Sequence, residues 1–226
     1  MVDQAIFLSL QDLGLSLPAY REEALLLTMT PEQASQYQRM ENALRVQARQ
    51  YPSWLSNWLQ WALSRPNSGF RPEVVEKARK DEDGNVLDVT SFMELPQIVN
   101  GVDPVANSDG ALVYVPNGQE PLPKEAWLVD FIKAEKAVGR KTLVFVRQTA
   151  TRDIQPRLQA VLQAQGVRTT VLYSTVNTRK REAWIARHAP LLDALVCNPT
   201  LVETGLDLVQ FATVVFFEMT FQQFSL

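Results

Sequence analysis

Apolar and polar positions recur along this chain with two different periods, and the changes of period divide it. After Thr30 the apolar residues Tyr37, Met40, Leu44 and Ala48 follow the three- and four-residue spacing of a helix. Thr30-Pro31-Glu32-Gln33 supplies its start: Thr30 caps, Pro31 suits the first helical position, and Gln33 can close a capping box. The stretch before it, from Leu17-Pro18 to Met29, reads as extended. A second helix is predicted after Pro52, with Trp54, Trp58 and Trp61 along one face. Such a row reads as a core stripe, with a stacking platform for bases as the alternative. Residues 64–69 break this helix. Residues 81–122 read as an irregular connector, with turns at 81–85 and 107–110, a short apolar run at 111–115, and a hairpin-type signal at Asn117-Gly118.

From Pro123 onward the period switches back and forth. A helix over 123–138 carries Trp127, Leu128, Phe131 and Ile132 inward and stops at Gly139. Residues 142–146 are a continuous apolar run, the mark of a strand buried on both faces. Pro156 is tolerated only in a first turn, so the next helix begins near Thr151 to Asp153. It turns Ile154, Leu158, Val161 and Leu162 inward and ends at Gly166. Further strands are predicted over 169–173, 193–197 and 213–217, with a helix over 178–188. Strands separated by helices of this length imply right-handed crossovers and a parallel sheet. The expected architecture is an α/β unit over 123–226, a parallel sheet with flanking helices, preceded by a helical segment over 1–80 and the connector over 81–122.

Composition narrows the chemistry. Hydrophobic residues make up 46% and charged residues 21% of 226 positions, as in an ordinary globular protein. The longest apolar runs, such as residues 25–27 and 212–217, are too short to cross a bilayer, and the first residues do not resemble a signal peptide. A cytoplasmic protein with no membrane partner is expected. Cys197 is the single cysteine and His188 the single histidine, which excludes an internal disulfide and most metal and triad chemistry. Net charge is −3, but residues 147–187 hold eight basic and two acidic side chains, a local +6 that leaves −9 for the remainder. Such asymmetry suits a phosphate-facing surface, or the solvated faces of two amphipathic helices.

In an open parallel sheet, ligands lie beyond the C-terminal strand ends. The first predicted strand runs into Arg147-Gln148-Thr149-Ala150-Thr151-Arg152, a polar segment leading to a helix N-terminus, which is what a phosphate needs. The third runs into Asn198-Pro199-Thr200 and a long, partly polar loop to Leu208. Ordinary strand-to-helix connections with Thr and Asn as caps are the plain alternative. No G-x-x-x-x-G-K-[ST] or G-x-G-x-x-G loop occurs, and no Asp-Glu pair ends a strand. No self-sufficient catalytic site is expected.

Residues 141–149 resemble motif IV of superfamily-two helicases, in the Swi/Snf branch. Asp193-Ala194-Leu195-Val196-Cys197-Asn198-Pro199 with Glu203-Thr204-Gly205-Leu206-Asp207-Leu208 resembles motif V, in wording close to a group of bacterial and mobile-element helicases. Residues 29–33 resemble the segment by which Swi/Snf chains leave the first motor lobe and pass into the second. The resemblance implies a RecA-like fold for the C-terminal half, in a two-lobe parent protein that holds ATP and Mg²⁺ between its lobes while DNA crosses both. Backbone contacts would then fall on Gln148, Thr149, Arg152, Asn198, Thr200 and Thr204. Gly205 and Asp207 would lie near the nucleotide and the lobe interface, although Swi/Snf members often carry Asn where this chain has Asp207. Neither the first lobe nor motif VI, with its arginine finger, is found between Met1 and Leu226. The chain therefore reads as a fragment that should not hydrolyse ATP or hold a nucleotide alone, with DNA and the first lobe as partners. A non-catalytic RecA-like module for nucleic-acid or protein contact is the alternative. A different α/β enzyme, such as a nucleotide-dependent transferase, would need a glycine-rich loop or acid/base pair that the sequence lacks.

Overall fold

A computed structural model describes residues 21–80, 86–149, 152–203, 206 and 208–218. The sheet lies where the apolar runs predict it. Strands β5 (Thr142–Phe145), β6 (Thr169–Leu172), β7 (Ala194–Cys197) and β8 (Thr213–Phe216) form one parallel sheet in the order β6-β7-β5-β8. Helices α3 (Pro123–Ala137), α4 (Gln155–Ala164) and α5 (Arg181–His188) flank it. Two antiparallel hairpins precede the sheet in the chain: β1 (Glu73–Lys80) with β2 (Val86–Leu95), and β3 (Val102–Ala106) with β4 (Leu112–Pro116). Helices α1 (Pro31–Gln50) and α2 (Leu55–Ser64) come first. The architecture is mixed α/β, with a RecA-like parallel sheet and a helical N-terminal segment.

Side chains on a strand alternate between faces, and here each face has its own core. Val144, Val146, Val171, Val196 and Val215 join α3 and α4 through Leu128, Ile132, Leu158, Val161 and Leu162. Leu143, Phe145, Leu172, Leu195 and Cys197 join α5 through Ile185, together with Val202 and Phe211 of the loop that follows β7. Every residue of β5 and β7 is buried, hence their unbroken apolar runs. The two connections thus leave on opposite faces: α4 carries the chain from β5 to β6, and the 198–212 segment carries it from β7 to β8. A strand-order reversal of this kind opens a crevice at the C-terminal ends of the neighbouring strands β5 and β7.

The three tryptophans settle as core. Trp54 and Trp61 are buried with Met40, Leu44, Val75 and Leu95, and Trp58 packs against them half-buried. The first helix starts as expected, Thr30 Oγ1 accepting from Gln33 N at 3.1 Å. The Gln33 side chain does not close the box; it donates to Pro66 O at 2.9 Å and ties α1 to the segment beyond α2.

The connector is the main departure from expectation. The part of residues 81–122 that is described is mostly hairpin strand, and β1 lies within the segment read as helical. Strands β3 and β4 are largely solvent-exposed, so neither carries the apolar alternation that marks a half-buried strand. The predicted turn at 107–110 is present: Asn107 Oδ1 accepts from Asp109 N (3.0 Å) and Ala111 N (2.8 Å), and Gly110 takes φ +79°. Asn117-Gly118 is not a hairpin turn. It follows β4 and docks on α4, where a Cβ at position 118 would stand 2.3 Å from Ala160 O. Arg157, 1% exposed, holds this segment: it donates to Glu120 O (2.7 Å) and Asn117 O and pairs with the buried Glu125 carboxylate at 2.9 and 3.1 Å. Removing one partner of such a buried pair costs about 3–5 kcal/mol. The extended reading of Leu17-Pro18 and the turn at 81–85 lie outside the described residues.

Candidate nucleic-acid interface

Pairing of β5 with its neighbours continues one step past the strand, Val146 N donating to Cys197 O at 3.0 Å. The chain then turns outward as Arg147, Gln148 and Thr149, of which Thr149 is exposed. Beyond β7 the chain runs into Asn198, Pro199 and Thr200. Asn198 locks the two ends together. Its Nδ2 donates to Arg147 O (3.0 Å), and its Oδ1 accepts from Thr200 N (3.0 Å) and Thr200 Oγ1 (2.7 Å). Asn198 is thereby a positioning residue for the Thr200 side chain as well as a wall of the crevice.

Glu218, just after β8, holds the first loop from beneath. Its Oε2 accepts from both Arg147 N and Gln148 N at 2.8 Å, and its Oε1 accepts from Asn67 Nδ2 at 3.3 Å. Lys124 Nζ donates to Asn67 Oδ1 at 3.2 Å. Burial pushes the Glu218 carboxyl above its ordinary range, and the hydrogen bonds it accepts, with Lys124 nearby, offset this only in part. The two backbone N–H groups that would suit a phosphate at this strand end are therefore already engaged by a carboxylate of the same chain.

Two cavities meet at Thr149. The first, about 250 Å³, lies between Thr149 beyond β5, Tyr173 and Ser174 beyond β6, and Asn198 and Thr200 beyond β7, with Asp153 and Gln155 at its α4 side. The second, about 280 Å³, lies between Gln60 and Leu63 of α2 and Gln148, Thr149 and Arg152. Arg152 donates to Gln60 Oε1 at 3.1 Å and stacks its guanidinium 4.8 Å over the Trp61 ring. The helical N-terminal segment thus forms one wall of the strand-end surface. Asp153 Oδ1, just ahead of α4, accepts from Gln155 N at 2.9 Å, and burial raises its carboxyl above the usual range.

The structure brings Gln148, Thr149, Arg152, Asn198 and Thr200 to one surface. Thr204, Gly205 and Asp207 lie outside the described residues, as do Ala150 and Thr151, part of the predicted helix start. The local positive charge is partly internal. Arg157 is buried, Arg168 pairs with Asp193 at 2.6 Å, and Arg181 donates to Val176 O and Leu201 O. Arg179, Lys180 and Arg187 are exposed. Sequence reasoning passed over Gln155, Tyr173, Ser174, Gln60, Asn67 and Glu218. The strand-end rule that found Thr149 and Thr200 reaches Tyr173 and Ser174 once applied to β6. Gln155 lies just past the 147–152 segment that the same rule marks, whereas Gln60, Asn67 and Glu218 come from distant segments with no local signal.

Among the described residues no group of three His, Cys, Asp or Glu side chains could hold a metal ion. No helix among the described residues is long and apolar enough to cross a membrane.

Residues 123–225 match the family model of the helicase conserved C-terminal domain. The match begins at the first residue of α3 and covers the whole parallel sheet, so this region is similar to the C-terminal domain of helicases. No curated protein and no solved structure matches the chain.

Proposed function

We propose that this chain is the second motor lobe of an ATP-dependent DNA helicase or translocase, of Swi/Snf type, and grips the sugar-phosphate backbone at the ends of β5 and β7. In the two-lobe parent, ATP and Mg²⁺ would lie between the lobes. Gly205 and Asp207 would face the nucleotide, and closure and opening of the interface would shift the grip along one strand. The observation that carries this reading is the convergence of Thr149, Asn198 and Thr200 on one crevice, with Gln148 lining the adjoining cavity that shares Thr149, inside the segment that matches the helicase family. Thr149 offers a hydroxyl to phosphate oxygens, Arg152 offers the charge, and Asn198, which accepts from the Thr200 hydroxyl, fixes the spacing of the two loops.

Binding of a DNA strand measured across a salt series, beside a Thr149→Ala, Thr200→Ala double variant, tests this. The expected result is binding that weakens with salt, with a logarithmic slope of about −1 to −2, and affinity about tenfold lower in the double variant. A double variant that binds as tightly as the parent chain would remove the strand-end crevice from the binding surface.

A further inference from the structure

The hairpin of β3 and β4 stands largely outside the hydrophobic cores. Leu112 and Tyr114 are 64% and 66% exposed, and Val105, Val113 and Val115 are each nearly half exposed. Among the described residues β4 pairs with β3 alone, and an isolated two-stranded hairpin is only marginally stable in water. The pairing fixes which backbone groups face outward. Asn107 N donates to Ala111 O and Asn117 N to Gly101 O, both at 2.9 Å. Hydrogen-bonded pairs alternate along an antiparallel ladder, so Val113 and Val115 turn their backbone groups toward Val105 and Asp103. Leu112 and Tyr114 therefore turn theirs to the open edge.

The two edges of this hairpin differ. On β3, Pro104 takes an outward position opposite Tyr114 and has no N–H to give. Proline blunts an edge against further pairing. β4 has no such guard: Leu112 and Tyr114 keep both backbone groups, and residues 110–118 carry no charge. An uncharged edge offers little by which to select a foreign strand, but it is its own complement. Antiparallel pairing about a two-fold axis at Val113 sets Leu112 of each copy opposite Tyr114 of the other, each such pair exchanging both N–H···O bonds. Apolar side chains then meet apolar ones, and Val113 lies beside Val113. The hairpin turns point in opposite directions, so Asp109 of one copy lies toward the neutral Asn117 of the other and away from its own counterpart.

We propose that β4 is a self-association edge, pairing antiparallel with β4 of a second copy of this chain so that the two hairpins form one continuous sheet. Pairing through one short strand falls at the small end of specific interfaces, so the dimer is weak, with a dissociation constant of about 10–100 μM. This association does not depend on strand gripping.

Sedimentation equilibrium of the 226-residue chain over about 1–200 μM tests this. The apparent mass should rise from 25.5 kDa toward twice that value. Val113 is 47% exposed, so the monomer tolerates a charge there. Val113→Lys sets like charges directly opposite across the two-fold axis, as does Val113→Glu, and each alone should weaken association about tenfold. An equimolar mixture of the two variants should return to within about threefold of the parent, because Lys then faces Glu. A mass that stays at 25.5 kDa throughout the range would overturn the proposal. So would a dimer that both variants leave intact, or a mixture no more associated than either variant alone, since each places the contact elsewhere than Val113.

Discussion

Glu218 is the residue whose removal should most directly disturb the candidate interface. It is 5% exposed, and its carboxylate receives two backbone N–H groups and the Asn67 amide. Glu218→Ala leaves three donors without that acceptor. A buried donor left unsatisfied costs about 1–3 kcal/mol. Asn67 is 4% exposed and bears the full penalty, whereas Arg147 and Gln148 are half-exposed and can recruit water. Relief from desolvating the carboxylate subtracts from the sum, so the expected loss is about 2–3 kcal/mol. Glu218→Gln keeps the shape and one acceptor oxygen and should cost about 1 kcal/mol. The two variants also differ from the parent in pH dependence. Burial raises the folded-state pKa of Glu218 above its unfolded value. Its contribution to stability is therefore complete below the unfolded pKa and is lost as pH rises through the folded one. Urea unfolding from mildly acidic to neutral pH measures this, and the Gln variant should lack that component. An Ala variant within about 0.5 kcal/mol of the parent, the range of an ordinary surface change, would refute the bridging role, as would an unaltered pH slope in the Gln variant.

Asp193 should show the opposite sign. Burial acts to raise its carboxyl, but hydrogen bonds from Arg168 and the neighbouring Lys136 outweigh that and hold it well below the usual carboxylate range. Its contribution is present above the unfolded pKa and is lost as pH falls toward the folded one. Asp193→Asn, discounted for half-exposed partners, should cost about 1–3 kcal/mol and flatten the acid limb of a stability profile. Cys197 lies in the core beneath the β7 end, and burial pushes its thiol up to about 12. Thiol-specific labelling of this single cysteine at pH 8 should proceed only as fast as the protein opens, accelerating with urea; rapid labelling of the native chain would contradict the packing of β7.

What the sequence made legible follows from burial. β5 and β7 are enclosed on both faces, so apolar runs announced them within a residue of their ends. The helices showed through their periodicity, and Gly139 and Gly166 end two of them with φ near +78°, at +77° and +79°. The hairpins escaped because an exposed strand such as β4, with most of its side chains in solvent, has no periodicity to read. Thr149 and Thr200 were found because the strand-end rule is local to each strand. Asn67 and Glu218 were not, since the contact that joins them spans 151 positions. The +6 stretch overstated the charge open to a ligand, because Arg157 and Arg168 serve internal carboxylates.

This division of the arginines bears on how the lobe should bind a strand. Salt dependence comes from counterions released when Lys or Arg neutralises phosphate, and a neutral hydroxyl releases none. The Arg147 and Gln148 amides are held by Glu218 and the Thr200 hydroxyl donates to Asn198 Oδ1, so the Thr149 hydroxyl stands ready at the crevice, with Arg152 as a cation beside it. Arg152 is itself held by Gln60 and the Trp61 ring, both from α2, so the position of this cation depends on the helical N-terminal segment. Asn67, from the same segment, holds the carboxylate that fixes the β5 loop. On the proposed reading the grip would be built from two parts of the chain at once: strand ends that supply a hydroxyl, and an N-terminal segment that sets both the loop and the cation. A shallow salt slope follows from the first part. Sensitivity of binding to packing changes around α2, far in sequence from the strand ends, follows from the second.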